Sequence, residues 1–208
     1  MFTGLVQHVG RVAGATPTPA GRRLRIDPAG WAHAPSPGDS ISVNGCCLTL
    51  VGGGAGGEFH FDAVPETLAK TTLGGWAVGR RVNLEHAVTA GTYLGGHVVQ
   101  GHVDGLGEVR ANGEMPGRGW LLRLAPDAPL MRYMVPRGSV CVDGVSLTLA
   151  RVDMPSGEIE IALIPETLAR TTLGDLRPGD RVNLECDVLA KTVAHYLEHV
   201  APGSPGAR

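Results

Sequence analysis

Two sets of side chains in this sequence could hold a polar organic ligand: Cys47, Thr49, Glu66 and Thr67 in the first half, and Ser146, Thr148, Glu166 and Thr167 in the second. Hydroxyls donate and accept, a carboxylate accepts, and the backbone of glycine-flanked strands does both. Either set therefore suits a neutral, polyhydroxylated, amide-bearing molecule, and a duplicated pocket implies a duplicated ligand. For any one residue alone a plainer reading serves as well, with threonines facing solvent on strands and glutamates in a helix first turn. The set is what favours a pocket. His97 and His102 each follow glycine and read as structural on local grounds. His195 and His199 are four apart with no third ligand evident, so solvated rings suit them better than a metal. Cys46 and Cys47 are adjacent, so on a strand only one can face a pocket while the other packs in the core.

The elements that must position these groups are also duplicated. Pro65-Glu66-Thr67-Leu68-Ala69 returns as Pro165-Glu166-Thr167-Leu168-Ala169, and Arg81-Val82-Asn83-Leu84-Glu85 returns as Arg181-Val182-Asn183-Leu184-Glu185. Asn44-Gly45 corresponds to Asp143-Gly144, and Gly4-Leu5-Val6 to Gly101-His102-Val103. A period near one hundred residues is a duplicated domain and exceeds a solenoid unit. With 18 Lys plus Arg against 20 Asp plus Glu, no basic stripe for nucleic acid is present. The four cysteines form no CxxC pair, no secretion signal opens the chain, and no apolar run is long enough to span a bilayer. These features predict a cytoplasmic protein with neither a membrane nor a nucleic acid partner.

Short alternating runs between Gly- and Pro-rich turns predict six strands per copy. In the first copy they are Leu5–Val9, Arg22–Ile26, Ser40–Val43, Cys47–Val51, Glu58–Val64 and Arg81–Ala87. In the second they are Gly101–Asp104 continuing into Gly107–Arg110, then Trp120–Leu124, Ser139–Val142, Leu147–Val152, Glu158–Ile164 and Arg181–Cys186. Six short antiparallel strands protect their edges by closing, so the fold class is all-β, two similar barrels. Pro65 and Pro165 suit a helix first position, which predicts a short helix after the fifth strand of each copy, stopped by Gly74 and Gly174. Asp187 caps a predicted amphipathic helix to Val200. The domains are residues 1–97, 98–187, a helix over 188–200 that packs or oligomerises, and a flexible tail over 201–208.

The opening Met1-Phe2-Thr3-Gly4-Leu5-Val6-Gln7, the segments Asn44 to Thr49, Gly95 to Asp104 and Asp143 to Thr148, and both Pro-Glu-Thr-Leu-Ala repeats resemble the riboflavin synthase family, alpha-chain type. The resemblance covers nearly the whole chain. It implies six-stranded antiparallel Greek-key barrels plus a C-terminal α-helix, a homotrimer held by those helices, and no cofactor or metal. The implied reaction is the dismutation of two 6,7-dimethyl-8-ribityllumazine molecules to riboflavin and 5-amino-6-ribitylamino-uracil, between barrels of neighbouring subunits. A non-catalytic lumazine- or flavin-binding protein is the rival reading, and association with a lumazine synthase is left open. By the same resemblance one ligand lies among Gly4, Leu5, Val6, Cys47, Leu48, Thr49, Asp62, Ala63, Val64, Pro65, Glu66 and Thr67. The other lies among Gly101, His102, Val103, Ser146, Leu147, Thr148, Ala162, Leu163, Ile164, Pro165, Glu166 and Thr167, with Arg137 nearby. Phe2, Ser40, Cys47, His102, Ser146 and Asp187 match residues implicated in the chemistry: His102 in proton transfer, Ser146 with Thr148 in binding the donor ring, Cys47 in stabilising the nucleophile, and Ser40 and Asp187 in proton movements. Arg137 stands where family members can carry Lys, which exchanges a compact ammonium for a planar fork.

Overall fold

In the computed structural model, which describes residues 1–53 and 57–202, the strands close into two barrels. The first comprises β1 (His8–Thr18), β2 (Gly21–Asp27), β3 (Ser40–Val43), β4 (Cys46–Gly53), β5 (Phe59–Ala63) and β6 (Arg81–His86). The second comprises β7 (Gly105–Met115), β8 (Gly119–Pro126), β9 (Ser139–Val142), β10 (Val145–Asp153), β11 (Glu158–Leu163) and β12 (Arg181–Cys186). Strand order is the same around each: β1-β2-β5-β4-β3-β6 and β7-β8-β11-β10-β9-β12, antiparallel throughout. Closure leaves no edge strand exposed. Ile159, Ile161 and Leu163 point into the second core as their alternation predicts, while Glu160 on the other face is shielded by an ion pair with Arg118.

Two predicted strands are displaced. The first begins at His8 and runs to Thr18, not Leu5 to Val9, and Gly101–Asp104 is not strand at all. The residues ahead of β1 and β7 are held by buried carboxylates instead of a ladder, as described below. The expected flexible tail lies, from residue 203 on, outside the described residues.

Helices α1 (Pro65–Lys70) and α2 (Pro165–Arg170) form with proline at the start and Glu66 or Glu166 in the first turn. They stop earlier than Gly74 and Gly174. Thr71 and Thr171 turn extended, with φ of −128° and −131°. Each donates its hydroxyl to the carbonyl four residues back at 2.7 Å and accepts from the N–H of Leu73 or Leu173. The threonine thus satisfies both a helix end and the tight turn that follows. Arg22 donates to the carbonyls of Leu73, Gly74 and Trp76, and Asn112 does the same for Leu173 and Leu176, fixing this segment across the end of each barrel. Helix α3 (Val188–His199) is capped by Asp187, whose carboxylate accepts from the Leu189 N–H at 2.9 Å.

The repeated Arg-Val-Asn-Leu-Glu strands explain how the barrels join. Valine and leucine point into each barrel's own core, yet asparagine and glutamate on the opposite face are buried too, because the other barrel covers them. Asn83 donates to the Asp143 carbonyl and Asn183 to the Asn44 carbonyl, both at 2.8 Å. Their side-chain oxygens accept from the Thr172 and Thr72 N–H groups, again reciprocally. Gly45 and Gly144 meet back to back on this axis, where a Cβ on either would lie 2.8 Å from the other's nitrogen. The seam is thus a pseudo-twofold polar joint with its buried groups paired, the condition under which a polar interior is tolerated.

The cover beneath each barrel breaks the symmetry. The second is plugged by Leu130, Met131 and Met134, whereas the first uses Trp31 among imidazoles. Ring centroids of Trp31 lie 6.0 Å from His8, 5.0 Å from His33 and 6.3 Å from His86, and His33 lies 4.8 Å from His86. Burial, then the neighbouring His86, holds the His33 pKa below its ordinary 6.5. Because the folded value is depressed, this contribution to stability is complete above about pH 6.5 and is lost as pH falls through the folded value. Acidification is therefore expected to loosen this cover before the second barrel responds. Tryptophan fluorescence corrected with a Trp31→Phe variant checks it, and a Trp31 signal flat down to the global transition contradicts it.

Candidate functional site

A buried carboxylate creates each half of the site. Glu85, 2% exposed on β6, accepts from the Thr3 N–H and hydroxyl at 2.7 Å and from the Gly4 N–H at 3.0 Å. Glu185, equally buried on β12, accepts from the Gln100, Gly101 and His102 N–H groups at 2.7, 2.9 and 3.0 Å. Burial raises both pKa values, and the donated N–H groups act against that rise. Each clasp presents a glycine carbonyl to the opposite barrel: Ser146 N–H donates to Gly4 at 2.7 Å, and Cys47 N–H to Gly101 at 2.9 Å. Both glycines have positive φ, 75° and 80°. A Cβ on Gly4 would fall 2.6 Å from the Ser146 Cβ, and one on Gly101 2.5 Å from the Cys47 Cβ. Only glycine permits that approach and that backbone.

This geometry corrects the expected grouping. Gly4, Leu5 and Val6 do not accompany Cys47, Leu48 and Thr49; they lie on the second barrel against Ser146, and Val6 packs on its core. Gly101, His102 and Val103 lie on the first barrel against Cys47, and Val103 packs on that core. Each barrel's leading segment has crossed to its twin. The Ser146 side opens a cavity of about 320 Å³ lined by Gly4, Val6, Ser146, Ile164, Glu166 and Thr167 among others. By the pseudo-twofold, the equivalents of those lining residues on the Cys47 side are Gly101, Val103, Cys47, Val64, Glu66 and Thr67.

Strand alternation sorts the remaining residues. Cys47, Thr49, Ser146 and Thr148 are on the outer faces, half-buried or exposed, while Leu48, Ala63, Leu147 and Leu163 point into the cores and can offer a ligand only backbone groups. Cys46 is core, and burial pushes its thiol up to about 12, leaving Cys47 as the cysteine facing the site. Ser40 stands opposite Thr49 in register, and Ser139 opposite Thr148. Asp62 is occupied by a two-pronged ion pair with Arg23 across the sheet, and its counterpart is Ala162, exposed and apolar. Glu66 pairs with Lys70 at 2.8 Å and Glu166 with Arg170, so each α-helix brings an ion pair to the rim. Pro65 and Pro165 start those helices.

Phe2, Asp187 and Arg137 complete the expected set. Phe2 is 1% exposed and forms a bridge with Val99, packing behind Cys47 with Cys141; it has no surface to offer a ligand and acts on the site by packing. Asp187 caps α3 through one carboxylate oxygen, and its charge acts on the His97 ring beside Ser146. Arg137 lies on the exposed turn before β9, held by its N–H to the Leu149 carbonyl at φ 65°, outside the Ser146 cavity of the same chain. One residue read from its neighbours as structural contacts a candidate site residue: His97 places Nδ1 2.7 Å from the Ser146 Oγ. Its signal was the pair of glycines before it. The rings of His195 and His199 lie 4.6 Å apart, and no metal-binding group of three or more ligands occurs among the described residues. Among those residues no helix is long and apolar enough to cross a membrane.

A chain of paired closed barrels with this outer-face cavity matches known proteins. The lumazine binding domain family matches the chain twice, at residues 3–87 and 100–187. The riboflavin synthase of Mycobacterium tuberculosis (strain H37Rv) is 44% identical over 200 residues, covering 95% of this chain and 98% of that one. The chain belongs to the riboflavin synthase family. A more distant member, the riboflavin synthase of Actinobacillus pleuropneumoniae, is 36% identical over 197 residues, covering 95% and 90%. Among solved structures, LumP complexed with 6,7-dimethyl-8-(1'-D-ribityl) lumazine superposes with a TM-score of 0.78 at 25% identity, covering 89% of this chain and 99% of that one. LumP complexed with riboflavin gives 0.79 at 26%, with the same coverage. The tandem barrels are therefore the family's lumazine-binding unit.

Proposed function

We propose that the chain is a riboflavin synthase, converting two molecules of 6,7-dimethyl-8-ribityllumazine into riboflavin and 5-amino-6-ribitylamino-uracil. The supporting observation is that both barrels keep a polar site at equivalent positions: Cys47 with Thr49 and Thr67, and Ser146 with Thr148 and Thr167, each closed by a clasped glycine segment. One donor and one acceptor of a four-carbon unit need two such sites.

The chemistry asks little of the protein. The C7 methyl of the lumazine is acidic because its carbanion delocalises into the electron-poor ring, and the two products together contain the atoms of the two substrates, so neither oxidant nor reductant is required. Holding the two rings together in a reactive orientation can supply up to about 7 to 11 kcal/mol of the barrier. We assign proton movement at the ligand of the first barrel to His102, an exposed residue of the clasp whose glycine carbonyl bonds Cys47. Ser146 and Thr148 hydrogen-bond the ligand of the second, and Cys47 with Ser40 serves the addition at C7. As membership of the family implies, the sites meet across subunits of a trimer, and their placement on outer faces is compatible with that. The uncovered stripe on α3, with Leu189 71%, Val193 58% and Leu197 59% exposed, supports the helix as its contact.

The test is incubation of the purified chain with 6,7-dimethyl-8-ribityllumazine alone, following riboflavin absorbance. Growth of that absorbance supports the enzyme. Tight binding without turnover supports the rival, a lumazine- or flavin-holding protein in the manner of LumP.

A further inference from the structure

His97 is 8% exposed and fixed on two sides. Its N–H donates to the Thr3 carbonyl at 3.2 Å, and its ring Nδ1 lies 2.7 Å from the Ser146 Oγ. Gly96 makes the approach sterically feasible, since a Cβ there would meet the Thr3 oxygen at 2.1 Å and the Ser146 Oγ at 3.0 Å. The other ring nitrogen, Nε2, is buried with no hydrogen-bond partner. Burial lowers the pKa of the ring, with the charge of Asp187 opposing, so the imidazole is neutral near pH 7.

A neutral ring has one N–H and one lone pair, and the two tautomers leave different groups orphaned. If Nε2 carries the proton, a buried donor goes unsatisfied. If Nδ1 carries it, the buried orphan is only a lone pair, the less costly case. The Nδ1 proton is then donated to Ser146. Ser146 has one hydroxyl proton of its own, and with its Oγ already accepting from His97, that proton is directed to the cavity. The first barrel has no equivalent, because Cys47 offers a weak thiol donor and His97 has no repeat partner in the chain.

We propose that His97 is a positioning residue that fixes Ser146 as a hydrogen-bond donor, so that the second barrel's cavity selects a ligand atom that accepts: a carbonyl oxygen or an unprotonated ring nitrogen. The identity of that ligand as a lumazine rests on the function proposed above; the tautomer does not. The polarity is a difference between two otherwise like sites, and it gives the second barrel the stronger hold on an electron-rich ring edge.

Two measurements test it. The ¹⁵N shifts of the His97 ring in the unliganded protein report which nitrogen is protonated: protonated Nδ1 is expected, and protonated Nε2 overturns the proposal whether or not any lumazine binds. A titration with riboflavin, read by fluorescence, then compares variants. His97→Leu and Ser146→Ala should each weaken one of the two sites about tenfold and leave the other unchanged, and the double variant should be no weaker than the single ones. His97→Asn, whose amide nitrogen replaces Nδ1, should recover most of the loss. Additive losses, equal weakening of both sites, or an Asn variant as weak as Leu overturn the proposal. If riboflavin binds to neither site of the unaltered protein while Nδ1 carries the proton, the function fails and the positioning role stands.

Discussion

Glu185→Ala is expected to cost about 3 to 6 kcal/mol of stability and to abolish ligand binding on the barrel that does not contain it. The carboxylate accepts from three backbone N–H groups, those of Gln100, Gly101 and His102. Alanine leaves them orphaned in a buried seam at about 1 to 3 kcal/mol each, part of which water entering the new cavity recovers. Because the clasped segment lies across Cys47, the damaged half-site is the one on the first barrel, although Glu185 is on the second. Glu85→Ala mirrors this, releasing Thr3 and Gly4 and damaging the Ser146 cavity. Glu185→Gln should fall between, since one oxygen still serves Gly101 and His102 while the amide faces the Gln100 N–H. Urea unfolding and a two-site riboflavin titration check the prediction. Loss confined to the Ser146 side in Glu185→Ala would contradict the crossed arrangement.

Asp143→Asn is expected to stabilise the protein, increasingly so as pH rises. Asp143 and Asn44 occupy equivalent places, both at positive φ (44° and 47°), and each accepts from the backbone N–H of the facing asparagine strand at 2.8 and 2.6 Å. An amide does this work without a charge. Burial, partly offset by the Asn183 N–H and Arg80, raises the Asp143 carboxyl from 3.8 to about 7. The folded value lies above the unfolded one, so the native state holds the proton more tightly, and stability falls as pH rises from about 4 through about 7. The interval corresponds to a penalty of up to about 4 kcal/mol above pH 7. Asparagine removes the titration and, in this left-handed region, is also at least as well accommodated as aspartate. Denaturant unfolding of both proteins at pH 5 and pH 8 should show the gap widen at pH 8. A gap independent of pH would show that Asp143 does not carry the buried charge.

Much of this fold was legible because both copies state it. Alternation in Glu158–Leu163 and the proline-initiated helices depend on neighbours in sequence, and they appear where expected. The Arg-Val-Asn-Leu-Glu repeat was visible, but its purpose was not. Asn83 and Asn183 bond to residues of the other barrel; Glu185 bonds to a segment that local patterning reads as strand, and Glu85 to the residues just ahead of another. For the same reason the expected grouping of the candidate residues is reversed. Gly4 and Gly101 are equivalent in the repeat, and nothing in a one-dimensional comparison reveals that each serves the opposite barrel. Phe2 is conspicuous in sequence and buried in the structure, where its ring supports Cys47 from behind. His97 escaped because its partner, Ser146, is 49 residues away and no second copy of the pair exists to draw attention to it.

In the proposed reaction two like sites present two molecules of one substrate to each other. It is tested most directly by supplying 6,7-dimethyl-8-ribityllumazine as the sole substrate and quantifying both its consumption and the riboflavin formed. Two lumazines should be lost for each riboflavin gained, together with an equal amount of 5-amino-6-ribitylamino-uracil and with no added cofactor. Lumazine bound and recovered intact, or riboflavin formed only with a second co-substrate, would contradict it.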